Sequence, residues 1–329
     1  MKLVVLQEPL KQKILENESL EIRRKLLAKQ GYRIIGNHSA IKLCHFCKSS
    51  IKGNGNCYKH TFYGINSWQC IQASVTLDVC NLRCAWCWRD IDYNLKKVKF
   101  LDNPKDIVEG FIREQRNALI GYYGYDKVVK EKLDESMKPK HIALSLTGDA
   151  GMYPKLPELI NEIHKKNMTS FLVTNGTFTE MVKKLTDSQP TQMYITLPAP
   201  DEETFNQACR PLGKNGWKRI MDSVGLLKHF NRSVIRLTLA KELNFKDPEK
   251  YAEIINNNEF KFLELKSAMS IGYARYRLRE DQSPKHEEIK NFAEKISRLT
   301  DFKIIDEQPQ SQVVLMTKKE DKDFRFLGV

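Results

Sequence analysis

Three cysteines, Cys80, Cys84 and Cys87, crowd into the stretch VCNLRCAWCW, and no further cysteine follows until Cys209, alone in a helix-like context. Thiolates are soft ligands suited to iron and sulfide, and a C-x3-C-x2-C spacing lets one loop wrap three corners of a four-iron cluster while one iron stays open. A structural zinc ion calls for four donors, commonly in two pairs, yet the next histidine after Cys87 is His141. A redox pair at Cys84 and Cys87 would leave Cys80 without a task. Whatever the chain folds into must present one loop with three converging thiols and room for a ligand beside them.

The remainder of the chain is periodic. Short apolar runs, QASVTL, HIALSL, SFLV, QMYITL, SVIRLTL and FLELK, alternate with helix-like stretches at Pro104 to Ile120, Lys155 to Lys166, Phe178 to Leu185, Trp217 to Phe230, Pro248 to Asn257 and Lys285 to Leu299. Such alternation predicts an α/β fold of six parallel strands with crossover helices, either an open doubly wound sheet or a barrel closed over some or all of its circumference. FKIID and QVVLM read as two further short strands capping one side. Functional loops in parallel α/β folds follow the carboxyl ends of strands. Here the first strand runs into the three cysteines, the second into TGDAG, the third into TNGT and the fourth into PAPD. Upstream, LKQKILENESLEIRRKLLAKQGY repeats apolar residues at helical spacing, with Gly31 as its stop.

With 41% hydrophobic and 29% charged residues, the composition is that of a folded globular protein. Its net charge of +13 is uneven: Met1 to His60 holds twelve Lys or Arg against four Glu. That basic face favours a polyanion, nucleic acid ahead of an anionic membrane surface. The apolar run of four residues in MKLVVLQEPL is too short for a secretory signal, and no stretch reaches spanning length. The expectation is a cytoplasmic protein with no membrane association, whose thiols stay reduced and serve as ligands.

A second cysteine set lies upstream. Cys44, Cys57 and Cys70 form C-x12-C-x12-C, and Cys47 adds a C-x2-C with Cys44. Two arrangements compete: a zinc module of Cys44, Cys47, Cys57 and Cys70, or a second three-thiol iron-sulfur site with Cys47 as a bystander.

The C-x3-C-x2-C loop after the first strand of a six-unit βα pattern, with Trp86 before the last cysteine, resembles the radical S-adenosylmethionine (SAM) superfamily. The resemblance implies a partial (β/α)6 TIM-like barrel with an N-terminal helical, cysteine-containing extension. Residues 1–70 would be the basic extension and 71–329 the core barrel with its C-terminal strands. It implies a [4Fe-4S] cluster on Cys80, Cys84 and Cys87, whose open iron binds the amino and carboxylate groups of SAM for one-electron cleavage to a 5′-deoxyadenosyl radical. LSLTGDAGMYP resembles the segment that holds the SAM amino group, with Gly148 and Asp149 in the matching places and Asp in place of the usual Glu. LVTNGT would turn Thr174 and Asn175 toward SAM, and Trp86 and Trp88 would line the pocket.

A closer resemblance joins NHSAIKLC, GNCYKHTFYGI and WQCIQASVTL to CAWCWRD, GMYP, LVTNGT, APDEETFNQACRP, VIRLTLAKELN and FLELKSAMSIGYARYRL, over roughly residues 36 to 278. These are similar to the archaeal 4-demethylwyosine synthase family. That family implies a second [4Fe-4S] cluster on Cys44, Cys57 and Cys70, and a reaction joining two carbons of pyruvate to N1-methylguanosine at position 37 of tRNA(Phe). Lys59, in CYKH, matches the lysine proposed there to form a Schiff base; as a member of the basic face it would instead touch phosphate. IGYARYRL interleaves Tyr273, Arg275, Tyr276 and Arg277, rings and guanidinium groups suited to RNA, and the family segment points to tRNA contact. LPAPD carries Pro198 where relatives commonly have Asp, and the expectation is that 329 residues leave no room for the flavodoxin domain fused to eukaryotic relatives, so the resemblance implies an external flavodoxin- or ferredoxin-type electron donor and a monomer. A zinc-containing RNA-binding protein, or a radical SAM enzyme acting on another RNA or protein substrate, are the competing functions.

Overall fold

The structure is a computed structural model that describes residues 21–93, 97, 98 and 100–328. Ten strands form one sheet: β1 (Tyr32–Ile35), β2 (Ser39–Lys42), β3 (Cys70–Ser74), β4 (His141–Leu144), β5 (Thr169–Thr174), β6 (Gln192–Thr196), β7 (Ser233–Leu239), β8 (Phe262–Ser267), β9 (Lys303–Gln308) and β10 (Val313–Thr317). The helices are α1 (21–29), α2 (His45–Ile51), α3 (Tyr58–Tyr63), α4 (Pro104–Leu119), α5 (Lys130–Ser136), α6 (Leu156–Lys165), α7 (Thr179–Lys184), α8 (Glu202–Cys209), α9 (Gly216–Gly225), α10 (Pro248–Asn256), α11 (His286–Leu299) and α12 (Lys322–Arg325). The part of the expected N-terminal helix before residue 21 lies outside the described residues. No described helix is long and apolar enough to cross a membrane.

Strands β3 to β8 pair in parallel, in sequence order. β3 takes β2 as its other neighbour and β8 takes β10, both antiparallel, so β3 and β8 never meet and the barrel is partial. The expected C-terminal strands therefore extend the sheet edge. The strands read as continuous apolar runs because both faces are buried. Ile142, Leu172, Met193, Ile195, Ile235, Leu263 and Leu265 pack outward against the helices. The alternate residues, Ala143, Phe171, Tyr194, Val234 and Phe262, face a second core built around Tyr58, Phe62 and Tyr63. A helix of the N-terminal extension, α3, thus fills the lumen.

The six crossover units fall where the periodicity places them. β3, however, starts at Cys70, and the expected strand end at Val75 to Leu77 leaves the sheet, with the Leu77 N–H bonded to the His38 carbonyl at 2.8 Å. α9 stops at Gly225, followed by a short 3-10 turn at Leu227–His229. The β1–β2 hairpin, α2, α3 and α5 were not expected as elements, each being too short to show a repeat, while α8 supplies the helical context expected for Cys209.

Gly148, after β4, adopts φ +70°, and a Cβ there would lie 1.8 Å from the Thr76 carbonyl oxygen and 2.7 Å from that of Val79. The loop after β3 and the loop after β4 can touch only through a glycine. Gly148→Ala should destabilise the fold by roughly 4 kcal/mol or more, read as a large fall in Tm. Gly121→Ala, where nothing lies within 4 Å, should change Tm little.

Candidate active site

The loop carrying Cys80, Cys84 and Cys87 is fixed on three sides. Arg83 and Ala85 donate their backbone N–H groups to the carbonyls of Cys209 (2.7 Å) and Ala208 (2.9 Å), the last turn of α8. Helix ends leave carbonyls without intrahelical partners, and here the cysteine loop satisfies them. Asp201 starts that helix by accepting from the Thr204 N–H at 2.9 Å. Arg23 of α1 grips the loop's approach through Asp78 (2.8 and 2.9 Å) and its exit through Asp90 (3.1 Å). Arg277 bonds to the carbonyls of Cys87 and Arg89, and the Tyr273 N–H reaches the Trp88 carbonyl at 3.0 Å. Cys209 also acquires a place: it is fully buried beside Cys84, and its thiol holds the Cys84 pKa up.

Residues expected around SAM gather beside this loop. Asp149 is buried and accepts from the Gly151 N–H (2.9 Å), the Asn175 N–H (2.6 Å) and the Thr174 hydroxyl (2.8 Å), tying the end of β4 to the end of β5. A carboxylate offers about four lone-pair sites, so room remains for about one further donor. Asn175 donates its side-chain amide to Asn81 at 3.0 Å and lies 3.8 Å from the Cys80 sulfur. Trp86 and Trp88 diverge. Trp86 packs toward Ala240, Ala268 and Leu278, whereas Trp88 turns toward Leu27 and Tyr32, with the Lys42 ammonium 5.7 Å from its ring centroid.

Cys57 and Cys70 of the second set border the lumen core, Cys44 packs beside Cys47, and among the described residues no three Cys, His, Asp or Glu side chains are gathered closely enough to hold a metal ion as they stand. Cys70 lies in the electrostatic field of Cys44 and Cys57, and Cys57 in that of Cys44. Cys47 is close by but buried, its thiol donating to the Trp68 carbonyl at 3.6 Å and lying 3.8 Å from the Gln115 amide. Burial pushes the thiol of Cys57 up to about 11, and those of Cys70 and Cys80 up to about 12. Any metal taken up there would have to displace their protons. The backbone N–H groups of Lys59, Leu82 and Arg89 oppose the upward shift at Cys57, Cys80 and Cys87. The hydroxyls of Thr76 and Thr147, at the ends of β3 and β4, are buried without a protein partner, polar atoms that a bound cofactor could satisfy.

Lys59 is buried in the lumen, its ammonium 4.6 Å from the Phe171 ring centroid and 5.1 Å from that of Tyr194. Burial first, then the Arg236 guanidinium, pulls its pKa below the ordinary lysine value. His141, beside Cys70 in register, is held near 4 by burial and is neutral; its nitrogens meet the Thr169 hydroxyl at 2.7 Å and the Asn66 N–H at 3.3 Å. Sequence reasoning missed Arg236, Glu264, Lys266, Tyr58 and Arg23. The signal was present: charges at alternate positions in SVIRLTL and FLELK, strands otherwise apolar.

Of the aromatic-basic segment, Arg277 turns inward to the cysteine loop, while Arg275 and Tyr276 are exposed. With Tyr273 they line a pocket of about 480 Å³ shared with Arg23, Lys42 and Trp88. Pro198 contributes a carbonyl, which accepts from the buried Asn244 side chain at 2.7 Å.

Asp149→Asn keeps one acceptor oxygen but turns an NH2 toward the backbone N–H of either Gly151 or Asn175, so metal-free protein should lose about 1–3 kcal/mol in thermal or urea unfolding. Unchanged stability would mean that Asp149 does not brace the two strand ends.

Residues 74–255 match the Radical SAM superfamily, and residues 257–318 match the family Wyosine base formation. The S-adenosyl-L-methionine-dependent tRNA 4-demethylwyosine synthase of Pyrococcus abyssi is 42% identical over 310 residues, 92% of this chain and 90% of that protein. Its counterpart from Pyrococcus horikoshii is 41% identical with the same coverage. Among solved structures, TYW1 with a lysine-pyruvate adduct bound is 34% identical with a TM-score of 0.83, covering 91% of this chain and 96% of that one. Archaeal TYW1 is 31% identical with a TM-score of 0.76, over 93% and 99%. A partial barrel with a three-cysteine loop at its strand ends, carried in a sequence this close to those synthases, belongs to the tRNA 4-demethylwyosine synthase family of tRNA-modifying radical SAM enzymes.

Proposed function

We propose that this enzyme joins two carbons of pyruvate to N1-methylguanosine at position 37 of tRNA(Phe), forming 4-demethylwyosine, with Lys59 as the residue that condenses with pyruvate. In this reading Cys80, Cys84 and Cys87 hold one [4Fe-4S] cluster, with Gly148, Asp149, Thr174 and Asn175 around SAM, and Cys44, Cys57 and Cys70 hold a second. When bound, the first cluster and SAM supply the one-electron cleavage that yields a 5′-deoxyadenosyl radical, and an external flavodoxin or ferredoxin would supply the electron.

The observation that carries the reading is the position of Lys59. It is the second residue of α3, directly after the N-cap Cys57 and Tyr58, and its side chain enters a lumen lined by Phe171 and Tyr194. A lysine attacks a ketone only as the neutral amine, and burial beside Arg236 favours that form. The amine lone pair would add to the C2 carbonyl of pyruvate, and loss of water would leave the imine. The related TYW1 that bears a lysine-pyruvate adduct supports the assignment. Interior burial sets Lys59 apart from the basic surface expected to meet phosphate.

The tRNA would lie over the rim formed by Arg275 and Tyr276, both exposed, with the target base splayed toward the strand ends. Cytoplasm is the compartment that supplies tRNA and keeps thiols reduced.

Lys59→Met, reconstituted without oxygen, should still release 5′-deoxyadenosine from SAM while tRNA product falls by at least about 100-fold. Liquid chromatography with mass spectrometry of both products reads the two outcomes. Normally modified tRNA from this variant would sink the role of Lys59.

A further inference from the structure

We propose that Lys266 anchors the carboxylate of the small 2-oxo acid inside the barrel, a task separate from the condensation assigned to Lys59. The inference rests on that assignment and adds a carboxylate subsite to it.

Arg236, Glu264 and Lys266 sit on the inward face of β7 and β8, where Arg236 is in register with Glu264 and Thr238 with Lys266. Arg236 is already committed. Its Nε and Nη2 donate to the same Glu264 oxygen at 3.0 and 2.8 Å, and Nη2 also reaches the Tyr58 hydroxyl at 2.7 Å. The other Glu264 oxygen accepts from the Tyr63 hydroxyl at 2.8 Å. The guanidinium fork is thus closed to a bidentate ligand, and both Glu264 oxygens are already engaged.

Lys266 is in a different condition. Its ammonium lies 5.2 Å from the Tyr58 ring centroid, in the field of Cys57, Lys59, Arg236 and Glu264, and among the described residues it makes no ion pair. With Lys59 as the neutral amine, the lumen holds two cationic side chains, Arg236 and Lys266, and Glu264 is already engaged by Arg236. A four-iron cluster on the three nearby thiolates would carry a diffuse net charge of about −1 and no hydrogen-bonding oxygen for the Lys266 ammonium. Burying cations without a counter-charge is costly, so the site is charged to receive a small anion. Tyr58 is the hub: it follows Cys57, precedes Lys59 and has Lys266 over its ring. An acid whose carboxylate meets Lys266 would direct its carbonyl toward Lys59. Lysine suits this task as a compact point charge on a flexible stem.

The test traps the imine in cluster-loaded protein, without SAM or tRNA, by borohydride reduction with ¹³C-labelled pyruvate, followed by intact-mass and peptide-mass analysis. Lys266→Met should still be labelled at Lys59, but the pyruvate concentration for half-maximal labelling should rise about tenfold or more, and Lys266→Arg should restore most of it. Half-maximal labelling of Lys266→Met at the unaltered concentration overturns the proposal. Labelling of Lys266 in place of Lys59 overturns this proposal and the role of Lys59 together. If no lysine traps in the unaltered protein, the Lys59 assignment falls alone. Equilibrium dialysis of labelled pyruvate then decides the anchor, which stands if Lys266→Met weakens binding about tenfold and fails if it does not.

Discussion

The insertion of α3 into the barrel lumen is the constraint on which the rest of the site depends. Phe62 and Tyr63 are fully buried there, and Tyr58 nearly so, among residues from β4 to β8. Each such ring contributes on the order of 2–3 kcal/mol by burial. The same helix has Cys57 as its N-cap and Lys59 as its second residue, so packing the rings delivers a thiol and an amine to the interior. The C-terminal tail seals that arrangement: Arg325 donates to the Phe62 carbonyl at 2.9 Å, and the Leu327 N–H bonds the Tyr63 carbonyl at 3.0 Å. Elements remote in sequence thereby fix the position of one lysine.

The three-cysteine loop is held by a different logic. It has no regular structure of its own, and its order comes from groups that elsewhere would face water. The orphan carbonyls of α8, the guanidinium groups of Arg23 and Arg277, and the glycine-only contact at Gly148 each meet it at a separate point. Arg277 was expected on the RNA and serves the loop instead. RNA contact, if made by this segment, falls to Arg275 and Tyr276. The pocket between this segment, Trp88 and the β1–β2 hairpin lies directly against the cysteine loop.

Much of this was legible in the chain. Both cysteine sets, the six βα units and the loops after β4 and β5 announce themselves by spacing and by strand-length apolar runs, because those signals are local. Asp149, Thr174 and Asn175 do meet at one point, as their shared position after strands required. What could not be read was long-range. No periodicity shows that a six-residue helix occupies a lumen, that Trp86 and Trp88, two residues apart, face different cores, or that Cys47 spends its thiol on the Trp68 carbonyl. The inward charges of β7 and β8 were visible as breaks in apolar strands, but their meaning needed the register that sets Arg236 beside Glu264.

The two cysteine sets stand at opposite ends of β3: Cys70 is its first residue, and Cys80 lies beyond its last, Ser74. A five-residue strand spans about 13 Å between its terminal Cα atoms. The central claim is that these are two independent iron-sulfur sites on one barrel, and iron content measures it most directly. Anaerobically reconstituted protein should carry about eight irons per chain, and the same number in Cys47→Ser. The variant with Cys44, Cys57 and Cys70 all changed to Ala should carry about four and still cleave SAM. An iron content unchanged in that triple variant, or zinc in place of iron at the upstream set, would contradict the account.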